Sequence, residues 1–276
     1  KNIHGTMDFA TRMGDFATNE VGQITNFPFN KYQTNLSDYK WNMDKKTIEA
    51  KVGPGMGGLT PEFLSTNVTQ DSLKFESPKA IYNMVDYTLK AEQVPYIDIA
   101  DSRLFLKDGK VTIRENANMD TLFETKLIAN RDDKFHEIYK LTIKVLGKNR
   151  VHGSGFYQYV DKLAKRQEFL LDSVIVNRKK HVEGMGVIQE ERGFTLDKKI
   201  GYKGIAQIES SEQLIKFLGF VKPLHTFKHV LPSAWVSFRD FVDPKDVVIP
   251  LSNPRDRLNT KQFVGLYIAN DSSHVY

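Results

Sequence analysis

The stretch spanning residues 73–143 limits what this chain can fold into more than any other part of the sequence. Short runs within it, the last of which continues just past its end, alternate between apolar and polar side chains, at residues 73–75, 89–91, 97–99, 111–113 and 141–145. A period of two puts one set of side chains on a buried face and the other in water, so each run predicts a half-buried strand. Turn-forming residues separate the runs, at positions 77–78, 107–109, 115–118 and 130–133.

The spacing of these runs predicts the fold class. The runs are about five residues long and recur roughly every 8–12 residues, while no span of about 10–15 residues has helical spacing. Three blocks, residues 88–130, 138–176 and 186–221, repeat this plan with a period of roughly 40 residues. We therefore predict an all-β protein of elongated, stacked strands, of the β-solenoid or open β-jellyroll type. Glycines inside this pattern, such as Gly204 and Gly219, predict bulges, bends or close backbone approach.

The end of the chain differs from the part before it. Residues 223–276 hold five of the ten prolines and an aromatic cluster of Trp235, Phe238 and Phe241. We predict a stacked β-repeat domain at 1–222 and a Pro- and aromatic-rich β segment at 223–276, which caps the stack or starts a next unit. The chain opens on Lys1 and stops within a strand-like run, so we expect it to belong to a longer protein.

Composition removes several classes of function. The chain has no cysteine, which excludes disulfides, thiolate metal sites and thiol nucleophiles. The net charge of +5 is spread along the chain without a basic helix carrying stacking aromatics, so we expect no nucleic-acid partner. The sequence contains no apolar run of about 18 residues, so we predict no transmembrane helix.

Residues 53–58 (GPGMGG) fit a dinucleotide-binding pattern, but no crossover helix can follow them. We therefore interpret them as a surface loop.

Few residues suggest chemistry. Asp98, Asp101 and Arg103 lie in one strand-like run and are the candidate catalytic groups, because paired carboxylates can act on a glycosidic bond. Residues three apart point to opposite faces of a regular strand, which favours structural roles for the two aspartates. His225 and His229 have i, i+4 spacing but lack the glutamate of a zinc motif, so we predict no metal and no cofactor.

Two tyrosines are the candidate ligand-binding residues. Tyr157 and Tyr159 alternate with Gln158 and share one face of a predicted strand. If that face is exposed, the two rings form a platform for a glycan or a partner protein, and if it is buried they belong to the core. We favour the core.

Several segments of the sequence resemble very large β-repeat proteins of Bacteroidetes that have no established activity. They are WNMDKKTI from Trp41, STNVTQDSLKF from Ser65, VPYIDIADSRLFLKDGKVTI from Val94, GSGFYQYVD from Gly153 and the closing ANDSSHVY. The run AIY at residues 80–82, followed by LKAEQV at 89–94, is also similar to the rhythm of the lipopolysaccharide-transport bridge family. The first resemblance implies an extracytoplasmic protein, in the periplasm, at the outer membrane or on the cell surface.

Together these features predict a non-enzymatic structural or binding module of a larger envelope protein. Its partners would be other envelope proteins or further units of its own longer chain. Two alternatives stay open. One is a bridge that conducts lipid or lipopolysaccharide, which needs an apolar groove along the stack. The other is a β-helical enzyme that degrades polysaccharide, which needs Asp98 or Asp101 in a cleft.

Overall fold

The computed structural model describes residues 2–54, 58–224, 234–250 and 254–261, and the backbone alone at 267–268 and 274–275. The protein is all-β, with 56% of its residues in strands. Among the described residues there is no α-helix, only three single 3₁₀ turns at Val68–Gln70, Glu115–Ala117 and Glu190–Arg192. The predicted all-β class is confirmed. The chain divides into two compact units, residues 1–155 with 174–182 and residues 156–173 with 183–276.

The first unit is built from short strands followed by two long ones. They are β1 (Ile3–Asp8), β2 (Met13–Thr18), β3 (Thr25–Phe27), β4 (Tyr32–Thr34), β5 (Asp38–Asn42), β6 (Thr47–Lys51), β7 (Glu62–Ser65), β8 (Lys74–Glu76), β9 (Lys79–Asn83), β10 (Leu89–Glu92), β11 (Tyr96–Ile99), β12 (Ser102–Phe105), β13 (Val111–Ile113), β14 (Leu122–Ala129) and β15 (His136–Gly147).

Successive strand pairs of the first unit alternate between two antiparallel sheets. One sheet has the order β1-β2-β5-β6-β9-β10-β13, and the other has the order β3-β4-β7-β8-β11-β12-β14-β15. Each strand pair has one apolar face, and the other sheet covers that face. A series of short half-buried strands thus makes one continuous core. The side chains that fill this core are fully buried and come from both sheets, among them Leu36, Phe63, Leu73, Leu89, Ile97, Ile99, Leu104 and Ile113.

A polar brace crosses the same core. The Tyr32 hydroxyl donates to Gln70 Oε1 at 2.8 Å, and Gln70 Nε2 donates to the Ala117 carbonyl at 2.7 Å. Tyr32 and Gln70 are both buried. The brace satisfies polar groups that would otherwise cost free energy inside the core, and it ties two of the 3₁₀ turns to a strand.

The second unit contains longer strands. Its elements are β19 (Thr195–Asp197), β20 (Ile200–Glu209), β21 (Ile215–Pro223), β22 (Val236–Val242), β23 (Tyr267–Ile268) and β24 (His274–Val275). It also holds parts of β16 (Arg150–Val160), β17 (Arg166–Val176) and β18 (Val182–Ile188), each of which has residues in both units. Within this unit β18, β20, β21 and β22 are neighbours in that order, and β19 pairs with β20. Tyr159, Phe194, Tyr202 and Phe217 form an aromatic core.

The alternating runs predicted from the sequence coincide with β8, β10, β11, β13 and β15. β3 lies at the end of its sheet. The predicted strand length of about five residues is wrong beyond residue 135, where β15 has 12 residues and β16 has 11. Part of the GPGMGG loop and the pair His225 and His229 lie outside the described residues.

Candidate binding surfaces

Asp98 and Arg103 face each other on neighbouring strands of the first unit. Asp98 in β11 is paired in register with Arg103 in β12. Arg103 Nε and Nη2 donate to the two carboxylate oxygens of Asp98 at 2.8 and 3.1 Å, and Arg131 lies 3.2 Å from the same carboxylate. The hydrogen bond to Asp98 raises the pKa of Arg103. Its guanidinium carbon lies 3.7 Å above the centre of the Tyr96 ring, so the cluster holds its own charges together.

Asp101 has a different set of partners. It follows Ala100, which has the left-handed φ of 49° that turns the chain from β11 into β12. The Asp101 carboxylate lies 2.8 Å from His181 Nδ1 and accepts from the Val182 N–H at 3.3 Å and the Ser102 hydroxyl at 3.0 Å. Both carboxylates therefore bind neighbouring protein groups, an arrangement that fixes strands and turns.

The two candidate tyrosines lie in the second unit and differ in exposure. Tyr159 is 1% exposed, and its hydroxyl donates to the Leu196 carbonyl at 2.8 Å. Tyr157 is half-buried with its ring 5.4 Å from that of Phe169, and burial raises its pKa to about 12. Tyr159 is thus a core residue, while Tyr157 is partly exposed.

An apolar cleft of about 320 Å³ opens at one end of the first unit. Its walls come from Ile3, Phe16, Thr25, Tyr39, Trp41, Ile48 and Met84. All but Thr25 and Met84 lie in the sheet that begins with β1, and they follow its inner face from strand to strand. Ile3 is 53% exposed, and every residue of β1 is exposed. Trp41 Nε1 is buried without an acceptor among the described residues.

A charged groove of about 990 Å³ lies elsewhere in the first unit. Its lining includes Lys90, Lys110, Arg114, Phe123 and Glu124. The sequence pattern marks none of these residues as a candidate site. Phe123 is 66% exposed, which is unusual for a phenylalanine inside a strand.

The described residues contain neither a metal-binding cluster nor a membrane-spanning helix. No three His, Asp or Glu side chains among the described residues are grouped so that they could hold a metal ion. No helix in the described ranges is long and apolar enough to cross a membrane. The chain matches no protein-family model, no curated protein and no solved structure. Its class, an all-β protein with two large antiparallel sheets, is therefore defined by its fold alone.

Proposed function

We propose that this chain is a non-enzymatic, extracytoplasmic structural or binding module of a larger envelope protein, with strand pairs stacked in the manner of an open β-jellyroll or solenoid. The observation that carries the proposal is the apolar cleft next to two unpaired strand edges. β1 and β3 end their sheets, and both contribute side chains to the cleft. A further strand pair could bind to these unpaired edges and cover the apolar cleft beside them.

The backbone of β1 favours a protein strand as the occupant. The Asn19 N–H donates to the Asn2 carbonyl at 2.9 Å, so Asn2 faces β2. Because backbone groups alternate sides along an antiparallel strand, the N–H groups of Ile3, Gly5 and Met7 point away from β2. No described strand pairs with them. A free edge of this kind, without proline or lysine to blunt it, is a template for another strand.

The extracytoplasmic location and the larger envelope protein rest on the resemblance of segments such as 94–113 and 153–161 to envelope β-repeat proteins. The paired carboxylates of Asp98 and Asp101 support a non-enzymatic module, since each already binds protein groups. Fractionation of cells that express the native gene, with an antibody against this chain, tests the location. Recovery in the cytoplasmic fraction would overturn it.

A bridge that conducts lipid is the second candidate, and the same cleft favours it. Its walls are apolar, and a volume of about 320 Å³ is in the range of small-ligand sites. An acyl chain would cover Ile3 and Phe16 but would leave the N–H groups of β1 without partners. Because a protein strand would pair with these N–H groups and a lipid would not, we place the structural module ahead of the lipid bridge.

Native mass spectrometry and sedimentation velocity separate the two candidates. We expect the purified chain to self-associate with rising concentration through β1. Met7→Pro removes an outward N–H without touching the bonds to β2, and should abolish the association. Met7→Ala, the matched control, keeps the N–H and should preserve it. A chain that stays monomeric at all concentrations would contradict strand docking, and a co-purifying amphiphile of defined mass would establish the lipid bridge instead.

A further inference from the structure

We infer that the protein strand which docks on β1 carries an aromatic side chain directly opposite Gly5. This requirement depends on the strand docking proposed above, to which it adds the kind of sequence that the edge accepts. Gly5 lies between Ile3 and Met7 in β1, and the N–H groups of all three point away from β2. A strand added to this edge pairs its backbone with these three residues.

An aromatic ring from β2 covers Gly5 on the inner face of the sheet. Gly5 and Phe16 are direct cross-strand partners, so their side-chain positions share one face. A Cβ at Gly5 would clash with Phe16 Cδ1 and lie 3.1 Å from Cε1, and a Cβ at Gly14 would lie 2.9 Å from Cε2 of the same ring. The Phe16 ring therefore occupies the space that side chains at both glycines would fill.

The surface around this ring is apolar and incomplete. Phe16 is only half-buried, while Ile3 is 53% and Met7 49% exposed. Ile3 and Phe16 also line the apolar cleft. On this face β1 thus presents two apolar side chains with a gap between them at Gly5, beside an aromatic ring. A second ring opposite Gly5 would fill the gap and pack against Phe16, which is how aromatic side chains compensate for glycines at sheet edges.

The other face of β1 sets the rest of the pattern. His4, Thr6 and Asp8 alternate with the apolar set and are exposed. Polar residues of the docking strand would lie beside them, in water. The docking strand is therefore amphipathic, with apolar residues at every second position and the aromatic one at its centre.

A second copy of β1 does not meet this requirement. In the antiparallel register that pairs all three outward residues, Ile3 lies opposite Met7 of the other copy and Gly5 lies opposite Gly5. No side chain then fills the gap, and both Phe16 rings stay uncovered. Self-association through β1 is therefore weaker than the docking of a strand with a central aromatic residue.

Fluorescence anisotropy with two labelled peptides tests this requirement on the whole chain. One peptide has the core Ile-Thr-Phe-Thr-Ile with a lysine at each end, and the other has alanine in place of phenylalanine. We expect the phenylalanine peptide to bind about tenfold more tightly, because it buries more apolar area and adds a ring contact. Phe16→Leu removes the ring and should reduce this preference to about threefold. In sedimentation velocity, the phenylalanine peptide should also dissociate the self-associated chain.

Control variants locate the binding. Phe123→Leu makes the same change at an exposed strand position outside the cleft, and should leave the tenfold preference unchanged. Met7→Pro removes an outward N–H and should abolish binding of both peptides, whereas Met7→Ala keeps the N–H and should retain it. Circular dichroism of each variant verifies its fold.

The possible failures are distinguishable. Equal affinities for the two peptides, both lost in Met7→Pro, would leave strand docking intact but overturn the requirement at Gly5. A preference that Phe16→Leu does not reduce would overturn it as well. If neither peptide binds, or if Met7→Pro leaves binding unchanged, the docking on β1 itself is wrong, and the requirement at Gly5 falls with it.

Discussion

Asp98 shows how a residue chosen for its chemistry can take a structural role once its neighbours are known. Alternation places Asp98 on the solvent side of β11, between Ile97 and Ile99, which are both fully buried. What alternation does not give is the cross-strand register, and the register sets Arg103 directly opposite. A bidentate guanidinium–carboxylate pair at a half-exposed position stabilises the strand pair modestly.

A double-mutant cycle measures this role. Asp98→Ala and Arg103→Ala should each destabilise the protein, with a coupling free energy of about 0.5–1 kcal/mol between them. Urea unfolding of the four proteins gives the value. The control pair is Lys126 and Glu137, which lie 3.7 Å apart and are more exposed, so their coupling should be near zero. A coupling near zero for Asp98 and Arg103 as well would contradict the structural role.

The exposure of Phe123 could not be predicted from the sequence. Alternation puts it on the same face as Thr125, Leu127 and Ala129, all of which are buried. The bulge at Glu124 reverses that assignment, and a bulge depends on pairing with a strand that lies more than ten residues along the chain. The sequence did contain one sign of this bulge. Leu122 and Phe123 are adjacent and both apolar, so an unbroken alternation cannot bury both of them.

At the scale of elements, the glycines of β20 and β21 explain a close approach between two long antiparallel neighbours. Gly204 and Gly219 are direct partners in the register, as the sequence pattern predicted for a close backbone approach. A Cβ at Gly219 would lie 2.2 Å from the Lys203 carbonyl oxygen and 2.7 Å from Gly204 Cα. The Tyr202 hydroxyl fills the remaining space and donates to the Ile205 carbonyl at 2.7 Å.

This contact predicts a large cost for one added methyl group. Gly219→Ala should destabilise the protein by at least about 2 kcal/mol, because the clash is with backbone atoms that cannot rotate away. Gly193→Ala is the control: its φ is 58° but no atom lies within 4 Å of the added Cβ, so we expect about 1 kcal/mol from backbone strain alone. Thermal and urea unfolding of both variants give the comparison, and equal costs would refute the close approach.

At the scale of the whole molecule, the division into units could not be predicted from composition. The contacts group residues 174–182 with the first unit and residues 156–173 with the second, so the division passes through β16, β17 and β18. Composition signals a boundary only where a linker rich in proline, glycine or polar residues separates domains, and strands carry no such signal. The predicted boundary at 222/223 stays a prediction, since residues 225–233 are outside the described part.

Buried tyrosines make the stability of both units sensitive to alkali. Burial raises the pKa of Tyr32, Tyr39 and Tyr82 in the first unit and of Tyr157, Tyr159 and Tyr202 in the second. In the unfolded chain a tyrosine ionises near pH 10, at about its ordinary pKa. A raised pKa in the folded state therefore contributes stability that is complete below about pH 10 and is lost as the pH rises through the folded value.

For Tyr157 that folded value is about 12, so the free energy of unfolding should fall steadily from about pH 10 to pH 12. Urea unfolding at closely spaced pH values, with absorbance at 295 nm to follow phenolate formation, measures the slope. Tyr157→Phe removes one titrating group and should make the slope shallower, while the variant remains folded at pH 8. The difference in absorbance at 295 nm between the parent chain and Tyr157→Phe reports Tyr157 alone. If that difference appears near pH 10 in a chain that is still folded, or if the two slopes are equal, burial does not control this group.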